Sequence, residues 1–205
     1  MTKLHRFLKP VRSVKRKNSM KYEVLIEDSF YHIYNCGNNK ENIFIEEQNY
    51  VYFLQLAKKH LSKTADILVY CLLKNHFHFL IKTKENRTSK EISQSFSNLF
   101  NAYSKSINKK YGRSGSLFKD RFSRIKLDSE EYLKKLILYI HLNPTHHQFV
   151  DDFRTYKHSS YNSILSDKIT SLLRDSVINI FEDKQNFIDA HKIKEVTILE
   201  SLSLE

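Results

Sequence analysis

The stretch from Ala65 to Thr83 constrains the fold more than any other: a dense apolar run, ADILVYCLLK, breaks at Lys74 and Asn75 and is followed at once by NHFHFLIKT, which alternates strictly. Two runs of strand length divided by a polar pair read as the arms of an antiparallel hairpin. On either side the period changes. EEQNYVYFLQLAKKHL sets Tyr50, Phe53, Leu54, Leu56, Ala57 and Leu61 on one stripe, opened by acids and closed by Lys and His, which predicts a helix over about Glu46–Lys63. Ahead of it, FYHIYNC has strand composition and runs into the turn residues Gly37 and Asn38, giving a strand over about Phe30–Cys36. Beyond the hairpin, Thr88–Lys110 repeats apolar residues at three- and four-residue spacing, with Ser89 as candidate N-cap and Gly112 just past the end. RFSRIKL reads as a short strand. DSEEYLKKLILYIHLNP then reads as a helix over about Ser129–Leu142, with Asp128 and Glu131 in a capping-box pattern and Pro144 disfavouring helical geometry at Asn143.

The order strand, helix, strand, strand, helix, strand predicts an α+β fold: a ferredoxin-like antiparallel sheet (βαββαβ) with one added C-terminal helix. Three regions follow. Residues 1–27 form a basic N-terminal arm, 28–165 the domain, and 166–205 a helical C-terminal tail in which, from Thr170 onward, seven acids face four bases. The rest of the chain is therefore strongly positive, since 34 Lys+Arg against 23 Asp+Glu leave +11 overall, and a polyanion, nucleic acid first, is the expected partner. Only 3 Gly argue against a glycine-rich nucleotide loop. No apolar run approaches the ~18 residues of a membrane span, and none suits a secretory signal. Cys36 and Cys71 make no disulfide framework and have no CxxC partner, so a reduced, cytoplasmic protein is expected, with both thiols as small hydrophobes.

Period two puts His76, His78 and Leu80 on one face of their strand and Phe77, Phe79 and Ile81 on the other. Imidazoles at i and i+2 can converge on one divalent metal. The same pattern also suits two partly exposed histidines on the polar face of an edge strand. Tyr139 and Asn143 are i and i+4 on the last helix, on the flank of the stripe Leu133, Leu136, Ile137 and Ile140. There a phenol can reach a cleft between helix and sheet, and an amide oxygen can join a metal shell. A core tyrosine and a helix-end asparagine would look alike.

Together, the NHFHFLI strand, the FSNLFNAYSKSINKKYGRSGSLFKDRF stretch and the YIHLNP helix end resemble the single-tyrosine HUH transposases, specifically the REP-associated tyrosine transposase branch of the IS200-like group, over about 28–165. The resemblance implies that His76 and His78 hold a divalent metal, magnesium or manganese, with Asn143 as third ligand. It implies that Tyr139 attacks a phosphodiester of single-stranded DNA beside an imperfect hairpin, forming a 5′-phosphotyrosine and releasing a 3′-OH. A phenol of pKa ~10 is a poor nucleophile at neutral pH, so such chemistry needs the metal. Relatives occur as monomers and as homodimers that exchange catalytic helices, and the resemblance allows either. Lys74 departs from the proline that many relatives carry before the Asn-His segment. Tyr132, Tyr103 and Tyr111 are nearby phenols, but only Tyr139 has an amide one turn later.

The densest positive segment supplies the expected DNA surface: Lys105, Lys109, Lys110, Arg113, Lys119, Arg121, Arg124 and Lys126, with Asp120 as its one acid. Tyr111, Phe118 and Phe122 can stack on unpaired bases, with Ser114 and Gly115 adding backbone donors; the same segment also suits a solvated helix end with Phe118 and Phe122 buried. His141, His146 and His147 flank the Asn-Pro boundary. The alternative is a non-catalytic, domesticated relative that binds hairpin DNA or RNA on the same sheet and basic loops. The acidic tail is a candidate cover for the site, in which case truncation after Leu165 raises cleavage.

Overall fold

The computed structural model describes residues 23–202, so all of the expected basic arm except 23–27 lies outside the described residues. The elements are β1 (Phe30–Cys36), α1 (Glu47–Leu61), β2 (Ala65–Leu73), β3 (His76–Thr83), α2 (Ser89–Lys110), β4 (Ser123–Lys126), α3 (Glu130–His146), α4 (Tyr161–Leu165), α5 (Arg174–Ile180) and α6 (Lys184–Leu202). The sheet has the order β2-β3-β1-β4, and every neighbouring pair is antiparallel. That is the expected α+β, ferredoxin-like arrangement with α3 added. β3 is an inner strand, not an edge, so its histidines face protein on both flanks.

Alternation along the strands divides two cores. On one face Tyr31, Ile33, Phe77, Phe79 and Ile81 pack with Phe53 of α1 and Phe96, Leu99 and Tyr103 of α2. On the other, Val69, Cys71, Leu73 and Leu80 pack with Leu133, Leu136, Ile137 and Ile140 of α3, and with Val177, Phe181 and Phe187. A register shift in β2 between Ile67 and Val69 delivers both Leu68 and Val69 to this second core. The tail is thus core material. Cys71 is fully buried, and burial pushes its thiol well above its ordinary pKa, as suits a small hydrophobe.

Helix ends differ from expectation in three places. α2 is capped by Thr88, not Ser89, and Thr88 shares a reciprocal capping box with Glu91. At α3 the cap is Ser129, whose hydroxyl accepts from Tyr132 N at 3.2 Å, in place of the expected Asp128–Glu131 box. α3 also continues through Pro144 to His146. Proline there removes only its own N–H, while His147 N still reaches Asn143 O at 3.0 Å and Phe149 N reaches Pro144 O at 2.8 Å. Asn143 therefore stays helical, one full turn after Tyr139.

Two further contacts set the stage for the site. The β2–β3 turn is held from outside: Lys74 O accepts from Ile43 N at 2.7 Å and Phe44 N at 2.9 Å, and Asn75 O accepts from Gly37 N at 2.7 Å. The loop approaches so closely that a Cβ on Gly37 would lie 1.9 Å from Glu41 O. Lys74 thus sits in a turn braced by its neighbours. On the far side of α3, a buried chain joins helix and tail: His191 Nδ1 to Phe187 O at 2.7 Å, His141 Nδ1 to His191 Nε2 at 2.9 Å, His141 Nε2 to Ser160 Oγ at 2.8 Å, and Tyr70 N to Ser160 Oγ at 2.8 Å. Its protons can be placed. His191 donates to the carbonyl, so its Nε2 accepts from His141 Nδ1–H, and His141 Nε2 accepts from the Ser160 hydroxyl.

Candidate active site

The β1–β3 ladder pairs Tyr34 with His78 and Cys36 with His76, which places His32, Tyr34, His76 and His78 on the sheet face that α3 covers. From α3, Tyr139 comes down beside them. Its ring lies 5.5 Å from that of His78 and 6.4 Å from that of His32, edge-on to both. One turn later, Asn143 Oδ1 stands 3.2 Å from His76 Nε2. The structure therefore brings together all four residues singled out from the hairpin and the last helix, and a single chain supplies them.

Burial fixes the protonation of the histidines. It lowers the pKa of His78 well below 6.5, with the neighbouring imidazoles as lesser causes, and it brings His32 to about 4. It lowers His76 too, against an opposing contribution from Asn143. All are neutral at pH 7, as metal binding requires. A neutral imidazole has one N–H, yet both nitrogens of His76 face amide oxygens: Nδ1 lies 2.8 Å from Asn75 Oδ1 and Nε2 faces Asn143. With the proton on Nδ1, the lone pairs of His76 Nε2 and Asn143 Oδ1 converge. Their 3.2 Å separation is close to the ~3 Å edge of a coordination shell with ~2.1 Å bonds. Asn143 turns its Oδ1 towards His76, and its buried amide nitrogen has no hydrogen-bond partner. Two imidazoles and an amide oxygen fit a divalent cation. Among the described residues no group of three or more His, Cys, Asp or Glu is placed to hold a metal, so a cation here depends on Asn143.

Tyr139, His76 and His78 line a cleft of about 570 Å³ with Tyr34, Lys119, Arg121 and His147. No residue beyond 165 lines it, so the described tail does not cover it. A second groove, of about 600 Å³, runs along α2, shares Asn35, Asp120 and Arg121 with the first, and includes Arg124.

The other expected DNA contacts divide. Lys105 and Lys109 are exposed on α2 and Lys126 is half-buried on β4, where its N–H donates to Glu23. Lys110 is paired with Glu46, and Arg113 with Glu41 at 2.5 Å, so tertiary contacts bring acids to a segment whose own sequence holds only Asp120. Of the two readings of these aromatics, the buried one holds for Phe118 and Phe122, which are 6% and 7% exposed within the α1–α2 core, while the Tyr111 hydroxyl donates to Asn49 Oδ1 at 3.2 Å. Sequence made them look available because loop and core aromatics are indistinguishable without a period. Ser114 and Gly115 are exposed. Of the rival phenols, Tyr103 is buried and donates to Ile43 O at 2.7 Å, while Tyr132 stands exposed at the start of α3. His141 turns away into the tail contact. His147 stays at the cleft, 4.8 Å ring to ring from His76, and His146 lies 6.2 Å from Tyr139.

His32, Tyr34 and Asn75 were not expected. Alternation from Phe30 puts His32, Tyr34 and Cys36 on one face, a readable signal, but which face His76 shares is set by register.

Residues 26–143 match the family of IS200-like transposases. Among solved structures, a REP-associated tyrosine transposase bound to a REP hairpin superposes with a TM-score of 0.60 at 14% identity, covering 73% of this chain and 87% of that one. A candidate transposase from Deinococcus radiodurans aligns at 11% identity over 59% of this chain and 93% of its own, with a TM-score of 0.37, too low to bear on the fold. None of the curated proteins matches. Among the described residues, no helix is long and apolar enough to cross a membrane.

Proposed function

The chain belongs to the IS200-like transposase family, and we propose that it is a metal-dependent, single-tyrosine endonuclease and strand transferase for single-stranded DNA beside a hairpin. What supports this most is the convergence of Tyr139, His76 and His78 in one cleft edged by Lys119 and Arg121, with the buried Asn143 Oδ1 3.2 Å from His76 Nε2. In this reading His76 and His78, through Nε2, and Asn143, through Oδ1, hold magnesium or manganese. Such an ion, when bound, polarises the scissile phosphate and offsets charge developing on it.

Tyr139 Oη attacks the phosphorus, an O–P bond forms, the bond from phosphorus to the 3′ oxygen breaks, and a 5′-phosphotyrosine results. The phenol proton leaves to solvent, and the departing oxygen takes one up to become a 3′-OH. Attack by a 3′-OH on the phosphotyrosine reverses the exchange and frees Tyr139. One phosphodiester is traded for another, so no nucleotide cofactor is needed. Lys119 and Arg121 grip backbone phosphates at the cleft, with Lys105, Lys109, Arg124 and Lys126 extending the positive surface. Lys110 and Arg113, already paired with acids, contribute less. A hairpin partner is in keeping with the REP hairpin held by the solved transposase. Because one chain supplies Tyr139 and its three companions, the reading requires no exchange of helices within a homodimer.

The test is a denaturing-gel adduct assay with labelled single-stranded hairpin DNA from the flanks of its own gene, with magnesium, manganese or chelator. The wild type should form a covalent, metal-dependent adduct that Tyr139→Phe and His76→Ala both lose. Tight hairpin binding without adduct or nick under either metal would refute the activity in favour of a non-catalytic binder.

A further inference from the structure

His78 has its own support. Its Nδ1 lies 2.9 Å from His32 Nε2, and the two rings stack at 5.1 Å with 24° between their planes. His32 is 6% exposed and stands on β1, which is bonded to β3 on one side and β4 on the other, so its backbone cannot drift. We propose that His32 is the positioning residue of the cation site: its Nε2 accepts the His78 Nδ1 proton, holding His78 in the tautomer whose Nε2 lone pair faces the cleft. The inference rests on the metal-binding reading above.

Two neutral imidazoles can share a hydrogen bond only if one donates and the other accepts. If His32 were the donor, His78 would accept at Nδ1 and carry its proton on Nε2, the nitrogen needed for a cation. If His78 donates, Nε2 is open and His32 keeps its own proton on Nδ1. The contacts at His76 favour the second pattern, because Nδ1 lies 2.8 Å from Asn75 Oδ1, whereas Nε2 lies 3.2 Å from Asn143 Oδ1. Both histidines thus carry a support at Nδ1 and leave Nε2 for the cleft. Ligating histidines in general give their second N–H to an acceptor that fixes tautomer and ring plane. An imidazole in that position is a neutral acceptor, so it orients His78 without adding negative charge beside the scissile phosphate.

Nitrogen-15 histidine spectra of the metal-free full chain, assigned against His78→Gln, report the tautomer directly, and titration with manganese followed by electron spin resonance reports affinity. Wild type should show His78 protonated on Nδ1. His32→Phe, which keeps a ring but has no acceptor, should lose that signature and bind manganese about 10–100-fold more weakly. His32→Gln, whose carbonyl oxygen can accept the same proton, should recover most of both. A wild-type His78 protonated on Nε2, or equal manganese affinity in wild type and His32→Phe, overturns the assignment of His32 alone. A wild type that binds no manganese overturns the metal reading and this inference with it. Should His32→Phe not fold, the wild-type tautomer and the Gln variant still decide.

Discussion

Acid should weaken this fold through the buried pair that joins α3 to α6. His191 is fully buried, its pKa is brought from 6.5 to about 4 by burial, and Phe187 O opposes that only in part. The unfolded chain takes up a proton near 6.5, whereas the folded chain takes one up only near 4. Unfolding therefore binds a proton between those values, and stability falls as the pH drops through that window and levels off below it. From pH 7.5 to 5.0 the loss from His191 is about 2 kcal/mol, a large share of the ~5–15 kcal/mol typical of a domain. In a chain of this size that lowers Tm by about 4–8 °C. His141, held well below 6.5 by burial and then by His191, acts in the same direction. The perturbation that isolates this contribution is His191→Gln, which keeps an acceptor for His141 but cannot titrate. Urea melts at both pH values should show the pH-dependent loss shrinking by about 2 kcal/mol in the variant. An unchanged pH dependence would mean that His191 is not buried neutral, and the hydrogen-bond order assigned to the chain would be wrong.

Phe118→Ala should cost about 3–5 kcal/mol of stability, measured by denaturant melts, because the ring belongs to the core and not to a DNA platform. Lys119→Ala should flatten the log–log salt dependence of single-strand binding by about 0.7, whereas Arg113→Ala, whose partner is Glu41, should change it little; equal effects at both would refute the division. Truncation after Leu165 removes Val177, Phe181 and Phe187 from the second core, so it should lower Tm and reduce adduct formation; a rise in cleavage with folding intact would restore the idea of an inhibitory tail.

The ferredoxin-like fold could be read from the order of elements, and the two faces of β3 from period two, because alternation of His76, Phe77, His78 and Phe79 leaves only one way to bury the phenylalanines. Tyr139 and Asn143 could be read from helical spacing. What could not be read depends on contacts between residues far apart in the chain. Proline chemistry argued for a helix end before Asn143, yet a proline in the last turn gives up only one donor. The acids that neutralise Lys110 and Arg113 lie 64 and 72 residues away in sequence. His32 sits 46 residues from His78, and His191 50 from His141, so neither pairing leaves a local pattern.

The His141–His191 contact also has a consequence for the order in which the protein comes into being. Tyr139 lies two residues from His141, and His141 finds its acceptor only on α6, 50 residues further along the chain and so later to emerge during synthesis. A nascent chain released as far as Leu165 already holds β1 to β4 together with His76, His78, Tyr139 and Asn143, but it lacks the imidazole that accepts from His141 and the phenylalanines beneath it. Until α6 emerges, a growing chain thus carries its tyrosine on a helix that lacks part of its packing.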